Sequence, residues 1–460
     1  MAQPRTIAFH TLGCKLNFAE TSSISRMVES SGFQKVLFED GADVYVINTC
    51  SVTENADKEC THIVRKALRF SPQAQIIVMG CYAQLKPYAI AKIEGVDMVL
   101  GAKEKFRLAE YLKILPEKKT SHGESIVYSC DVQEIKFFQS SYSRGERTRA
   151  FLKIQDGCSY SCTYCTIPIA RGKSRSDTIA NVLQQAALLA DSGIKEIVLT
   201  GVNIGDFGIT DASKGTRDES FFELLQCLDE ITGIERFRIS SIEPNLLKDE
   251  IIEFVAASKL FMPHFHIPLQ SGSDNILKLM KRRYLSHHYA ERIGLIKSLM
   301  PHCCIGADVI VGFPGESDEE FLKTYDFLCA IDVSYLHVFT YSERDETEAS
   351  TMKNVVPKGV RHERNKMLRI LSEKKREAFY QSQIGKERKV LFEDGRPGTA
   401  KGFTDNYIQV TASSDVSLQG EIQTVRLLKS NGAMAEGQIV ASEEPSYIDT
   451  NSIISCGTSL

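Results

Sequence analysis

The sequence predicts a mixed α/β protein in three consecutive parts. These are an N-terminal open parallel α/β domain, a central partial (β/α)6 barrel and a small antiparallel β-barrel. Three observations carry this expectation. The first third alternates short, apolar, β-branched runs with helical patterns, as strands buried in a parallel sheet do. From Ala150 onward, strand and helix signals alternate six times. After Gln381 come short strand signals separated by turn residues. The expected divisions are 1–140, 144–378 and 383–445, followed by a flexible tail at 446–460. With 460 residues, 43% hydrophobic and 25% charged, the composition is that of an ordinary globular protein.

A formal net charge of -4 gives no global sign of a polyanionic partner, so any nucleic-acid contact rests on local patches. No apolar run reaches membrane-spanning length, and Met1–Phe9 lacks the plan of a signal peptide. Thirteen cysteines in such a chain read as ligands and buried thiols rather than disulfides. The expectation is a soluble cytoplasmic protein without a membrane partner.

In the N-terminal third, three apolar runs each end in a cysteine. Thr6–His10 leads to Cys14, Asp43–Ile47 to Cys50, and Gln75–Met79 to Cys81. Helical patterns lie around Ala19–Ser30 and Ala56–Arg69. Because ligands of an open α/β sheet sit beyond the carboxyl ends of its strands, the three cysteines are expected at one edge. Cys60 falls inside a helix and Cys130 in a later loop, outside that pattern. Cysteines also serve as small buried hydrophobes, which is the competing account of all three.

Residues 132–148 turn polar and irregular and read as a linker. Strands are expected at 150–155, 195–200, 235–240, 263–269, 304–311 and 335–340, with helices at Thr178–Ser192, Phe221–Ile231, Leu246–Ala257, Tyr289–Leu299 and Asp318–Ile331. Sites of such a barrel belong at the carboxyl ends of its strands. Directly after the first strand stands Asp156-Gly157-Cys158-Ser159-Tyr160-Ser161-Cys162-Thr163-Tyr164-Cys165. Three thiolates in Cys-x3-Cys-x2-Cys spacing can converge on one iron–sulfur or zinc centre. Zinc would want a fourth ligand, and the next histidine is His264. A four-iron cube on three thiolates leaves one iron open. This loop, with an aromatic residue before its last cysteine, resembles that of the radical S-adenosylmethionine (SAM) enzymes.

Thr11-Leu12-Gly13-Cys14-Lys15-Leu16-Asn17, Asn48-Thr49-Cys50-Ser51-Val52-Thr53 and Met79-Gly80-Cys81-Tyr82-Ala83-Gln84 are similar to the N-terminal domain of the methylthiotransferases. The resemblance implies two 4Fe-4S clusters, one on Cys158, Cys162 and Cys165 and one on Cys14, Cys50 and Cys81. The second would supply sulfur, and SAM would be both radical source and methyl donor. Further words at strand ends match SAM-binding positions of the same fold: Thr200-Gly201-Val202-Asn203, Ser240-Ser241-Ile242-Glu243-Pro244, His264–Gly272 and Asp308–Glu316. By resemblance Tyr164 would meet the adenine of SAM. Gly201, Asn203, Ser241, Glu243, His266, Gln270 and Arg283 would line the pocket. His266 also fits a core histidine, and Arg283 a solvated cation. Ala170-Arg171-Gly172-Lys173-Ser174-Arg175-Ser176 recurs in the family and would face phosphates or hold the cluster loop by ion pairs.

Between Arg361 and Lys389 ten Lys or Arg stand against four Glu, largely on a helical pattern from His362 to Gln381. The strand signals that follow resemble the TRAM domain, an RNA-binding barrel. Phe403 and Tyr407 fit either stacking on bases or its core. The phrasing of Thr11–Lys15 and Ile169–Gly172 is closest to the bacterial branch that methylthiolates C2 of N6-threonylcarbamoyladenosine beside the tRNA anticodon. Its partners would be the anticodon stem-loop and an electron donor such as flavodoxin or ferredoxin. Arg344, after the sixth strand, is the expected partner of the threonylcarbamoyl carboxylate. The branches acting on isopentenyladenosine or on a ribosomal-protein aspartate are the alternatives within the family. Outside it stand a radical SAM enzyme using its second cluster only for electron transfer, and a non-catalytic RNA-binding protein with structural zinc.

Overall fold

The computed structural model describes residues 4–50, 54–115, 124–145, 148–396 and 398–440. The expected tail 446–460, with Cys456, and the stretch Ser51–Thr53 lie outside the described residues. The chain divides into two compact units, Met1–Phe379 and Tyr380–Leu460.

The first unit begins with six parallel strands: β1 (Thr6–Thr11), β2 (Gln34–Lys35), β3 (Val44–Thr49), β4 (Gln75–Gly80), β5 (Val96–Leu100) and β6 (Ile126–Tyr128). Their order is β2-β1-β3-β4-β5-β6. Every residue of β3 and β4 is buried, which is why both read as unbroken apolar runs. Alternate residues serve opposite faces: Tyr45 and Ile47 pack with Val64 and Ala67 of the helix Glu54–Phe70, Val44 and Val46 with Ile24 of the helix Lys15–Glu29. β5 and β6 escape the apolar pattern. Asp97 interrupts β5, where its carboxylate accepts from the Ile76 amide at 2.8 Å, and β6 has only three residues.

Next come β7 (Ser141–Tyr142), β8 (Arg149–Lys153), β9 (Gln155–Asp156), β10 (Arg175–Ser176), β11 (Glu196–Thr200), β12 (Arg236–Ile239), β13 (His264–His266), β14 (Cys304–Val311) and β15 (Tyr335–Thr340). The six strands expected from sequence are β8, β11, β12, β13, β14 and β15, parallel throughout. They form two sheets, β12-β11-β8-β7 and β13-β14-β15, bridged at Phe237↔Phe261 and Ser241↔His266. Among the described residues no ladder joins β15 back to β8, so the barrel is open. One core runs from Val182 and Leu224 on the outer helices to Leu152, Phe237 and Val309 inside.

The expected linker is partly ordered. β7 pairs antiparallel with β8, and the Tyr142 carbonyl accepts from Arg26 at 2.7 Å and Ser23 at 3.1 Å. The N-terminal sheet and the barrel are thereby parts of one body.

The second unit is a closed barrel of β16 (Glu387–Arg396), β17 (Thr399–Thr404), β18 (Gln409–Ala412), β19 (Ile422–Ser430) and β20 (Ala435–Ile439), in the order β16-β17-β18-β20-β19. It departs from the expected all-antiparallel pattern, because β18 and β20 pair in parallel. A ring with an odd number of strands cannot alternate direction all the way round, so one parallel pair is obligatory. Phe403 and Tyr407 are half-buried and stack on each other with centroids 5.0 Å apart. At Gly402 a Cβ would lie 2.2 Å from the Leu391 carbonyl, so β16 and β17 pair closely only with glycine there. Gly402→Ala is expected to destabilise this barrel by about 1–3 kcal/mol, as overpacking does. Hydrogen exchange of the β16 and β17 amides in the full chain checks this, and unchanged protection would contradict it.

Candidate metal and cofactor sites

Gly157 starts the barrel's cysteine loop with a φ of +68°, in the left-handed region. A Cβ on it would stand 2.2 Å from the Lys173 carbonyl oxygen. The loop is thus laid flat on the Gly172–Lys173 backbone, where the Cys158 amide donates to Gly172 O at 3.0 Å. Buried Gln155 secures the same turn. Its amide donates to the Asp156 and Gly157 carbonyls and to Ser174 Oγ, while its Oε1 accepts from the Val202 and Asn203 amides. Thr163 fastens the far side through the Leu279 and Met280 carbonyls.

Cys158, Cys162 and Cys165 all line one cavity of about 310 Å³, together with Tyr160, Tyr164, Asn203, Ser241, Glu243, Gln270, Asp308 and Arg344. Six of the nine non-cysteine residues expected at the cofactor or substrate therefore meet here: Tyr164, Asn203, Ser241, Glu243, Gln270 and Arg344. Three do not. Gly201 backs onto Gln155, whose Oε1 would lie 2.9 Å from a Cβ, so its smallness serves packing of the loop. Arg283 stacks over the ring of Tyr160 at 3.9 Å, one layer behind the wall. His266 stands behind Asp308, with Nε2 2.8 Å from Oδ1, and His337 Nδ1 is 3.2 Å from the same oxygen. Burial opposes the Asp308 charge, but hydrogen bonds from the two imidazoles hold its carboxyl well below the usual range.

Arg282 takes the place expected of Arg283. Its side chain is buried, donates to Cys162 Sγ at 3.2 Å and to Tyr164 Oη at 3.4 Å, and pairs with Glu243. Lys281 just before it has a φ of +55°, which reverses the chain after the helix Asp274–Leu279 and turns the next side chain inward. Only that backbone kink distinguishes Arg282 from its neighbour, and a charge run in a sequence does not display it.

Cys14, Cys50 and Cys81 gather at the carboxyl edge of the N-terminal sheet, after β1, β3 and β4. A Cβ on Gly13, whose φ is +95°, would lie 2.7 Å from Cys50 Sγ. Cys81 Sγ accepts from Arg171 Nε at 3.2 Å. Arg171 also bonds Asn17 Oδ1 at 2.6 Å, Asp156 Oδ1 at 2.9 Å and Glu20 Oε1 at 3.1 Å. Lys15, next to Cys14, keeps accessible surface. Desolvation, then the charges of Arg149 and Arg238, hold its ammonium down to about 8.

Two sets of three cysteine thiols suit iron–sulfur clusters, which three thiolates can hold, whereas a structural zinc takes four ligands. Among the described residues, His266, Asp308 and His337 bring ligand atoms within 4.8 Å of one another. That histidine–aspartate group is already internally paired, and its carboxylate also feels the Lys15 charge. Burial pushes the Cys158 and Cys165 thiols up to about 12, so a bound metal must displace their protons. Cys14, Cys81, Cys158, Cys162 and Cys165 are free thiols, in line with ligands.

Gly157→Ala is expected to abolish iron binding at the barrel site while leaving the N-terminal site loaded. Iron analysis of anaerobically reconstituted protein checks this, and full iron content in the variant would contradict the close approach to Lys173.

Residues 6–101 match the profile described as Uncharacterized protein family UPF0004, and residues 152–328 that of the radical SAM superfamily. The chain is 40% identical over 442 residues to the threonylcarbamoyladenosine tRNA methylthiotransferase MtaB of Bacillus subtilis, covering 95% of this chain and 96% of that one. Identity to the protein of the same name from Aquifex aeolicus is 40%, over 88% and 96% of the two chains. To the tRNA-2-methylthio-N(6)-dimethylallyladenosine synthase of Mycolicibacterium gilvum it is 34%, over 85% and 77%. The solved radical SAM methyltransferase TsrM from Kitasatospora setae has the same fold over 75% of each chain, with a TM-score of 0.56 at 14% identity. Matched from the first strand to the last barrel, the chain belongs to the radical SAM methylthiotransferase family.

Proposed function

We propose that this enzyme methylthiolates C2 of N6-threonylcarbamoyladenosine at position 37 of tRNA, beside the anticodon. What supports it most is the meeting, within one compact unit, of two separate three-cysteine sites with an intervening cation. The identity to two proteins named for this reaction supports the substrate. When bound, SAM and the two 4Fe-4S clusters supply the radical, the sulfur and the methyl group, chemistry that an unactivated aromatic C–H bond requires.

The chain's own residues bind, orient and enclose. Cys158, Cys162 and Cys165 would hold one cluster and Cys14, Cys50 and Cys81 the other. Tyr164, Asn203, Ser241, Glu243 and Gln270 would receive SAM in the 310 Å³ cavity, a volume within the roughly 300–1,000 Å³ of small-molecule sites. Arg282 keeps Glu243 and Cys162 in fixed relation, so that cofactor and cluster share one frame. Gly201, His266 and Arg283 would shape this pocket from behind. Arg344, on the wall of the same cavity, is placed to meet the threonylcarbamoyl carboxylate. The anticodon stem-loop would be held by the C-terminal barrel and by cations of the helix Lys358–Gln381. Arg361 and Arg364 of that helix are committed instead to Glu343 at 2.6 Å and Glu316 at 2.6 Å. An electron carrier such as flavodoxin or ferredoxin would reduce the barrel cluster in the cytoplasm, and no helix among the described residues is long and apolar enough to cross a membrane.

The test is nucleoside mass spectrometry after anaerobic turnover on anticodon stem-loops carrying either threonylcarbamoyl- or isopentenyl-adenosine. Methylthiolation of the first and not the second is expected. Reaction with the isopentenyl substrate alone would move the enzyme to the other branch, and SAM cleavage without sulfur incorporation would mean a different reaction. Arg344→Ala should lower kcat/KM on the threonylcarbamoyl substrate roughly 10- to 100-fold, in line with about 1.5–3 kcal/mol for a hydrogen bond to a charged group. An unchanged kcat/KM would remove Arg344 from substrate recognition.

A further inference from the structure

Between the two cysteine sites lies a buried ionic network whose charges do not balance. Its cations are Lys105, Lys153, Arg171 and Arg175, and its anions are Glu20 and Asp156, all at most 4% exposed. Lys105 and Lys153 reach the two oxygens of Glu20 at 2.5 and 2.8 Å. Lys153 and Arg175 reach Asp156 at 2.9 and 3.1 Å, and the Gly157 amide adds a fourth-side contact at 2.8 Å. Each carboxylate thus has two cations before Arg171 is counted. A surplus of buried positive charge is costly unless an anion offsets it. Arg171 is the member of the set whose guanidinium also faces sulfur, through Nε on Cys81 at 3.2 Å. A four-iron core carried by three thiolates is anionic in sum, and it would sit against this guanidinium.

We propose that Arg171 is a positioning residue for the N-terminal cluster. Its guanidinium supplies the counter-charge for the cluster on Cys14, Cys50 and Cys81, and it clamps Cys81 to Asp156 at the root of the barrel's cysteine loop. The carboxylates keep two cations each without it, whereas Cys81 takes its hydrogen bond from Arg171 itself. This rests on reading the N-terminal trio as a cluster site. One consequence concerns potential: a fixed positive charge beside a cluster favours its reduced, more negative form, so removing that charge lowers the potential. A second concerns the empty protein. With Arg171 replaced by an apolar side chain of similar length, Glu20 and Asp156 keep two cations each and the surplus falls.

The experiment uses the full chain with Cys158→Ala, Cys162→Ala and Cys165→Ala, which leaves only the N-terminal cluster, and adds either Arg171→Met or Arg171→Lys. Redox titration followed by electron paramagnetic resonance reads the cluster, and thermal unfolding reads the apoprotein. The expected result is a shift to lower potential in Arg171→Met, a potential near the starting value in Arg171→Lys, and apoprotein unfolding unchanged in both. Loss of the cluster signal from Arg171→Met but not from Arg171→Lys carries the same conclusion. Equal potentials in all three proteins, or equal loss from both variants, would overturn the counter-charge role. An Arg171→Met apoprotein that melts well below its parent would overturn it too, because Arg171 would then serve the carboxylates. If the parent shows no cluster signal at all, the proposed function fails with it, an outcome distinct from an unchanged potential.

Discussion

The buried set of Glu20 and Asp156 with Lys105, Lys153 and Arg175 is the interaction on which the rest of the first unit depends, and Arg171 joins it to Asn17 and Cys81. Glu20 and Asn17 belong to the helix that follows the first cysteine, and Cys81 follows the fourth strand of the N-terminal sheet. Asp156 and Arg171 flank the barrel's cysteine loop. Removing either carboxylate from such a buried set typically costs about 3–5 kcal/mol, because the cations left behind stay uncompensated in a medium of low dielectric. That cost makes the relative placement of the two cysteine sites a property of the folded core. Desolvation works against the Glu20 charge, and the combined field of Arg171, Lys105 and Lys153 overcomes it and holds the carboxyl far below its usual range.

Strand direction explains why chemistry collects where it does. The six strands of the N-terminal sheet run parallel, as do the six main barrel strands, so within each set every strand delivers its following loop to the same edge. Cys14, Cys50 and Cys81 are separated by dozens of residues yet end at one rim. Asn203, Ser241, Gln270 and Asp308 come from different β/α units yet line one cavity. Rigid elements carry the groups, and glycine permits close approaches at Gly157 against Lys173 and at Gly13 against Cys50.

Much of this was legible from residues alone. The six barrel strands, the buried runs of β3 and β4 and the barrel's cysteine trio follow from apolar periodicity and spacing, which are local signals, while the N-terminal trio rests on its resemblance to the methylthiotransferases. What escaped the sequence depends on geometry that no local signal encodes. β20, Ala-Glu-Gly-Gln-Ile, has too little apolar alternation to announce itself, and closure of the five-stranded ring is what fixes it. Arg282 and Arg283 are adjacent like charges, separated in role by the positive φ of Lys281. Gly201 backs onto Gln155 and His266 pairs with Asp308, contacts that words at strand ends do not display. Arg171 appeared in the sequence as one cation of a basic run, and its four partners come from three elements more than 70 residues apart in places.

The central claim is that one body carries two independent three-cysteine cluster sites. Iron per chain, measured on anaerobically reconstituted protein beside the Cys14→Ala/Cys50→Ala/Cys81→Ala variant, tests it most directly. Two sites predict about eight irons falling to about four, the capacity of one 4Fe-4S cluster. About four irons in both proteins would mean that the N-terminal cysteines hold no cluster, and the account would fail at its centre.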